Sequence, residues 1–297
     1  MFRPRPALFC AASLNSALLA TLPAVPAAAA PILLNEYNAV GGGADDFVRD
    51  GDTFFGAGDD RVAGNGGNWF ELIVVEDGLD ARGFRLAWTE NENNDAGERT
   101  AGEIVLSDDA VWGNLRAGTL LTFIETADGG GAGVDTGTDL SFDPAAGDWW
   151  INVATRESQG GLVSTVTNDG AVGDFSVGRE RWSLTILDRD GAVIIDASGE
   201  GSPVWAGDGV SGSEGGSLEG PVAGATLTDW RSVDPASGLY DDTGSTSFGA
   251  YNVDFDSGSF MPLQDPSALQ ALVVPEPAAA AALLAGLGLV AGRRRQR

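Results

Sequence analysis

Carboxylates are the only side chains in this sequence suited to acid–base or metal chemistry. There is no histidine and no lysine, and the single cysteine, Cys10, lies near the start. A Ser-His-Asp or Cys-His nucleophile, histidine-bound zinc, a Schiff-base lysine and a P-loop lysine are all excluded. Glu36 and Glu71, each beside apolar neighbours, are the kind of pair a glycosidase uses as acid and base. Asp45, Asp46, Asp50, Asp52, Asp59 and Asp60, with glycines between them, could fold around a calcium ion through oxygen ligands. The same run also reads as an acidic solvated loop. Asp188-Arg189-Asp190-Gly191, with Asp196 beyond, offers part of a calcium loop but lacks the glycine and terminal glutamate of a complete one. The plainer reading is a hairpin with a two-residue Asp190-Gly191 turn. Calcium is therefore the one cofactor the residues admit; otherwise none is expected, and no catalytic residue is assigned.

The elements that must position these groups are strands. Short apolar runs separated by Gly, Asp and Thr turns predict an all-β sandwich. Strands are expected at Ile32 to Asn38, Trp69 to Val75, Gly83 to Trp88, Glu103 to Leu106, Thr119 to Glu125, Trp149 to Ala154, Trp182 to Leu187, Ala192 to Asp196 and Ala225 to Trp230. Trp69, Trp88, Trp149, Trp150 and Trp182 fall inside these runs, so at least half should be core residues. Several exposed in a row would instead stack on sugar rings.

The two ends differ in composition from the body. Arg3 and Arg5 precede an apolar stretch and then the small-residue run 27–30, the layout of a secretory signal peptide. Cleavage by signal peptidase is expected after Ala29, with Ala27 and Ala29 as the small recognition residues. At the other end Pro275-Glu276-Pro277 is followed by 14 apolar residues, 278–291, and then by Arg293, Arg294 and Arg295. Such a run is shorter than the ~20 residues that span a bilayer comfortably, so it anchors only weakly. The arginines would hold the tail on the cytoplasmic side.

That tail resembles the PEP-CTERM sorting signal. The resemblance implies recognition by an exosortase-type processing enzyme, transient inner-membrane anchoring, and delivery to the cell surface, outer envelope or polysaccharide matrix. The body resembles a lamin-tail domain. Ile32-Leu33-Leu34-Asn35-Glu36 is similar to that family's first strand, and Asn68-Trp69-Phe70-Glu71-Leu72 to its Trp-x-Glu-Leu strand. Leu79 to Leu86, Gly118 to Phe123 and the closing Ser245-Thr246-Ser247-Phe248-Gly249-Ala250-Tyr251-Asn252 extend the likeness. Val74 and Phe248 depart from it, standing where asparagine and proline are usual. The resemblance implies an immunoglobulin-like β-sandwich used as an extracellular accessory module, in which Glu36 and Glu71, at recurrent positions of the pattern, cap backbone amides rather than act in catalysis.

The expected organisation is a signal peptide (1–29), a lamin-tail-like sandwich (30–256), a linker (257–274) and a sorting tail (275–297) ending in a short apolar helix. Removing both ends leaves 42 acidic and 11 basic residues, a net charge of about −31. That charge opposes nucleic acid and anionic lipid as partners. It is compatible with neutral or cationic polymers and with divalent cations. The body lacks cysteine, so its roughly 240 residues must fold without disulfides, which that length permits. The function expected is a non-catalytic structural or interaction module of the envelope, with extracellular polysaccharide or other surface proteins as partners. The alternative is a carbohydrate-binding protein or a carboxylate-only carbohydrate-active enzyme.

Overall fold

A computed structural model describes residues 29–38, 53–55, 61–63, 68–90, 100–127, 136–168, 170–177, 182–198, 215–234, 238–243, 247–254 and 261–273. In chain order the strands are β1 (Ile32–Asn38), β2 (Thr53–Phe55), β3 (Arg61–Ala63), β4 (Trp69–Val74), β5 (Arg85–Glu90), β6 (Thr100–Leu106), β7 (Leu120–Ile124), β8 (Trp150–Ala154), β9 (Val163–Thr167), β10 (Ser183–Leu187), β11 (Val193–Ser198), β12 (Gly215–Leu218), β13 (Tyr240–Thr243), β14 (Val253–Asp254) and β15 (Met261–Pro262). Two short α-helices, α1 (Leu227–Arg231) and α2 (Ser267–Gln270), and two 3-10 helices, Ala110–Gly113 and Pro144–Ala146, complete the described elements.

The order β13-β12-β1-β4-β7-β8 makes a six-stranded sheet, and β11-β10-β5-β6-β9 makes a five-stranded one. All neighbours are antiparallel except β7 and β8, which run parallel. The sheets form a β-sandwich around one apolar cluster. Tyr37 of β1 and Phe70 of β4 meet Trp182, just before β10, at centroid distances of 4.6 and 6.1 Å. A Cβ on Gly216 of β12 would lie 2.1 Å from the Tyr37 ring, so only glycine admits that ring between the sheets.

Burial patterns separate the two sheets. β9 alternates buried and exposed residues, as expected of a strand with one solvated face. Every residue of β1 and β4 is buried, so both faces of the six-stranded sheet are covered at its centre. The cover on the outer face is the C-terminal strap, residues 247–254 and 261–273.

Eight of the nine expected strands are present with ends within two or three residues. The ninth, 225–230, is helix α1. Thr226 and Asp229 form a reciprocal capping box, each side chain meeting the other residue's backbone N–H, and Trp230 is wholly buried. That Thr-x-x-Asp signal outweighs the apolar alternation read as a strand. The 257–274 segment, read as linker, contains β15 and α2, and its Leu269 joins the core.

Candidate functional site

Cross-strand pairing sets Ser217, Glu36, Glu71, Thr122 and Asn152 in one row across β12, β1, β4, β7 and β8. Paired residues share a face, and their neighbours Tyr37 and Phe70 point into the core, so the row lies on the outer face. It is a polar seam in a nearly dry environment: Ser217 is 2 % exposed, Glu36 1 %, and Glu71, Thr122 and Asn152 are fully buried.

A β-bulge concentrates the polar groups. Leu34 pairs with Leu72 and Glu36 with Glu71, leaving Asn35 as the extra residue. A bulge turns two successive side chains toward one face. Asn35 and Glu36 therefore both reach the strap, where a regular strand would send one of them into the core.

Glu71 accepts three hydrogen bonds. Asn35 Nδ2 donates to Oε1 at 2.8 Å, while Thr122 Oγ1 and the Gly249 amide donate to Oε2 at 2.7 and 3.0 Å. Trp150 Nε1 donates in turn to Thr122 Oγ1 at 2.8 Å. Glu36 accepts the Ser247 amide through both oxygens, each at 3.1 Å. A closed set of carboxamides extends the seam. Gln264 Nε2 donates to Asn35 Oδ1 at 2.7 Å, Asn252 Nδ2 donates to the Asn35 carbonyl at 3.0 Å, and both amides also donate to the Leu218 carbonyl. Tyr251 donates to the Gly118 carbonyl at 2.7 Å.

Apolar contacts seal the seam. The Phe248 ring sits edge-on to Trp69 at 5.2 Å and to Trp150 at 5.5 Å, which gives it a wedging role. Gly249, at φ +73°, would place a Cβ 2.7 Å from Trp150. No larger residue could bring its amide to Glu71 there.

Burial dominates the electrostatics. It pushes Glu71 up to about 7, against the lowering effect of its three donors. Burial, and then the Glu71 charge, hold Glu36 well above the ordinary carboxylate range. The folded state therefore keeps protons that the unfolded chain releases near pH 4.5. Stability from Glu71 is full below that value and is lost as pH rises through about 7, and the contribution of Glu36 has the same sign. For Glu71 alone the difference is about 3 kcal/mol. Asp77, Asp139 and Asp265 act oppositely, being held low by hydrogen bonds; their contribution is present above pH 3.8 and fades below it. Thermal midpoints measured across pH should accordingly peak near pH 4.5–5 and fall toward pH 8. A profile rising from pH 5 to 8 would contradict this.

The carboxylates converge under the strap, with their oxygens on strap amides, Asn35 and Thr122. A cleft of about 300 Å³ lies elsewhere, lined by Ala29, Ala30, Pro31, Val75, Glu76 and Arg231. Among the described residues no group of carboxylates is placed to hold a metal ion. Asp188 Oδ1 instead accepts the Asp190 and Ala192 amides at 2.9 and 2.8 Å. The hairpin between β10 and β11 is present, with a turn wider than two residues: Gly191 donates to the Asp188 carbonyl and stands at φ +82°. Asp196 accepts Thr185 Oγ1 farther along.

Trp69, Trp88, Trp112, Trp149, Trp182 and Trp230 are buried, and Trp150 is partly buried beneath the strap. They form no exposed row for sugar stacking. Ala29 is exposed just ahead of β1. Ala27, the six aspartates between 45 and 60, Pro275, Glu276, Pro277 and the arginines 293–295 lie outside the described residues. Among the described residues no helix is long and apolar enough to cross a membrane. The chain matches no protein-family model, and no curated protein or solved structure is similar to it.

Gln264, Ser217, Thr122 and Asn152 are seam residues to which the sequence reading gives no role, and Trp150 figures in it only as a core or stacking residue. The run Leu263-Gln264-Asp265-Pro266-Ser267, apolar residue then turn then small helix start, is the signal that 261–273 belongs to the body.

Proposed function

We propose that this protein is an exported, exosortase-sorted, non-catalytic module of the cell envelope or extracellular polysaccharide matrix, built on a lamin-tail-like, immunoglobulin-like sandwich. One observation carries the reading of the body. The residues of the lamin-tail likeness, Asn35-Glu36, Glu71 and Ser247 to Asn252, come from distant parts of the chain and meet in one seam that closes the fold. Their hydrogen bonds are spent on fastening. The rival reading, a carbohydrate-binding or carbohydrate-active protein, needs a carboxylate pair open to substrate or exposed tryptophans; Glu36 and Glu71 instead lie buried under the strap.

The export reading is compatible with the start of the fold. The Pro31 carbonyl accepts the Val75 and Glu76 amides at 2.8 and 3.1 Å, so cleavage after Ala29 spares the first contacts of the body. Processing then depends on the tail. Changing Pro275, Glu276 and Pro277 together to alanine in the native host should leave the protein uncut and in the inner-membrane fraction. Wild-type processing of that variant would overturn the sorting reading.

A further inference from the structure

We infer that removal of the signal peptide builds a charge site on the body: the new α-ammonium of Ala30, set opposite Glu76 in the cleft that both residues line, is held by the Glu76 carboxylate. The site rests on cleavage after Ala29. Strand register places the two groups together. Ile32 pairs with Val74, and the antiparallel count continues to Pro31 opposite Val75 and Ala30 opposite Glu76. The Pro31 carbonyl, which accepts the Val75 and Glu76 amides, fastens that continuation. Directly opposed residues of such a ladder have Cβ atoms ~4.5–5.5 Å apart, well within the reach of a glutamate side chain.

Two features keep the ammonium in place. Ala30 is partly buried and packs against the core cluster. Pro31 restricts the residue before it to extended backbone, which sets the direction of the Ala30 nitrogen. The charged groups that face it are Glu76, just past the end of β4, and Arg231, at the end of α1. Among the described residues neither side chain makes an ion pair. The next carboxylate along, Asp77, is engaged by Arg116 at 2.7 Å. Arg231 repels a second cation, so the ammonium turns to Glu76. In the precursor the Ala30 nitrogen is a neutral amide and Ala29 forms part of the cleft wall. Cleavage removes that wall and leaves a positive charge beside a carboxylate that has no cation of its own. Maturation thereby adds a contact that the precursor lacks. The chain contains no lysine, so this ammonium is the mature protein's only primary amine.

That singularity makes the test specific. Protein recovered from the native host is reductively methylated with carbon-13 formaldehyde, which labels the α-nitrogen alone, and the methyl resonance is titrated by NMR. Relative to wild type, the amine of Glu76→Gln should titrate about half a unit lower, the size of an exposed ion pair. Arg231→Gln should move it the other way by a smaller amount. Glu157→Gln, which removes an equal charge at the opposite end of the six-stranded sheet, should leave it in place. Terminal-peptide mass spectrometry of the same sample separates the outcomes. A chain that starts at Ala30 but titrates alike in wild type and Glu76→Gln, or shifts as far in Glu157→Gln, overturns the site alone. A chain that starts elsewhere overturns the site together with the cleavage reading.

Discussion

Glu71→Ala should destabilise the protein by about 4 kcal/mol in urea unfolding at pH 5–6. The substitution leaves the Gly249 amide and Thr122 hydroxyl without an acceptor and weakens the hold on Asn35. Each buried donor stranded in this way is worth ~1–3 kcal/mol. Glu71→Gln keeps one oxygen for the Gly249 and Thr122 donors but turns an NH₂ toward Asn35, so a loss of about 1 kcal/mol is expected. Glu103→Ala is the control: its partner is the exposed Arg85, and such surface pairs contribute under about 1 kcal/mol. The sign separates the two readings of the carboxylate pair. Catalytic carboxylates are held at the expense of stability, so removing one commonly stabilises an enzyme. A Glu71→Ala protein as stable as wild type would remove the fastening role.

Truncation gives the second large effect. Ending the chain after residue 256 should leave it largely unfolded, whereas ending it after residue 273 should leave the thermal midpoint unchanged. The segment between supplies Leu269, fully buried in the core and worth about 2–3 kcal/mol. It also supplies Gln264, whose side chain makes hydrogen bonds to Asn35, Leu218 and Asn252, and the Asp265 carbonyl that accepts Trp230 Nε1 at 3.1 Å. Together these losses approach the 5–15 kcal/mol that holds a typical domain folded. Circular dichroism of the two truncations measures the difference. Equal stability of both would mean that the strap contributes nothing to the body.

Much of the sandwich is legible from local patterning because its central strands are long and apolar. Ile32 to Asn38 and Trp69 to Val74 announce themselves by β-branched and aromatic runs bounded by turn residues. β12 does not, since Gly215-Gly216-Ser217-Leu218 has no strand propensity of its own. It exists because Tyr37 needs a glycine opposite it and because β1 offers an open edge. β13, Tyr240-Asp241-Asp242-Thr243, is likewise recruited by pairing with β12. The site was half legible. Asn35, Glu36 and Glu71 stand out as polar residues inside apolar strands, and the lamin-tail resemblance implies a capping role for the glutamates. The bulge that turns Asn35 and Glu36 to one face depends on register with β4, which no local pattern encodes. Gln264 reaches back 229 residues to Asn35, and Ser217 pairs with Glu36 across the sheet, so nothing in their own neighbourhood marks them.

Composition carries its own part of the account. A body without histidine, lysine or cysteine, and with six fewer arginines than the full chain, has few cations to spare for its interior. Its described ion pairs, such as Arg82–Asp80 and Arg116–Asp77, lie at the surface. The two buried glutamates must therefore be accommodated by amides, hydroxyls and protons.

Intact-mass and terminal-peptide mass spectrometry of the protein recovered from its native host tests the central claim most directly. The account predicts a chain that begins at Ala30, ends at or before Pro277, and retains the strap through Val273. A recovered chain running from Met1 to Arg297 would contradict it.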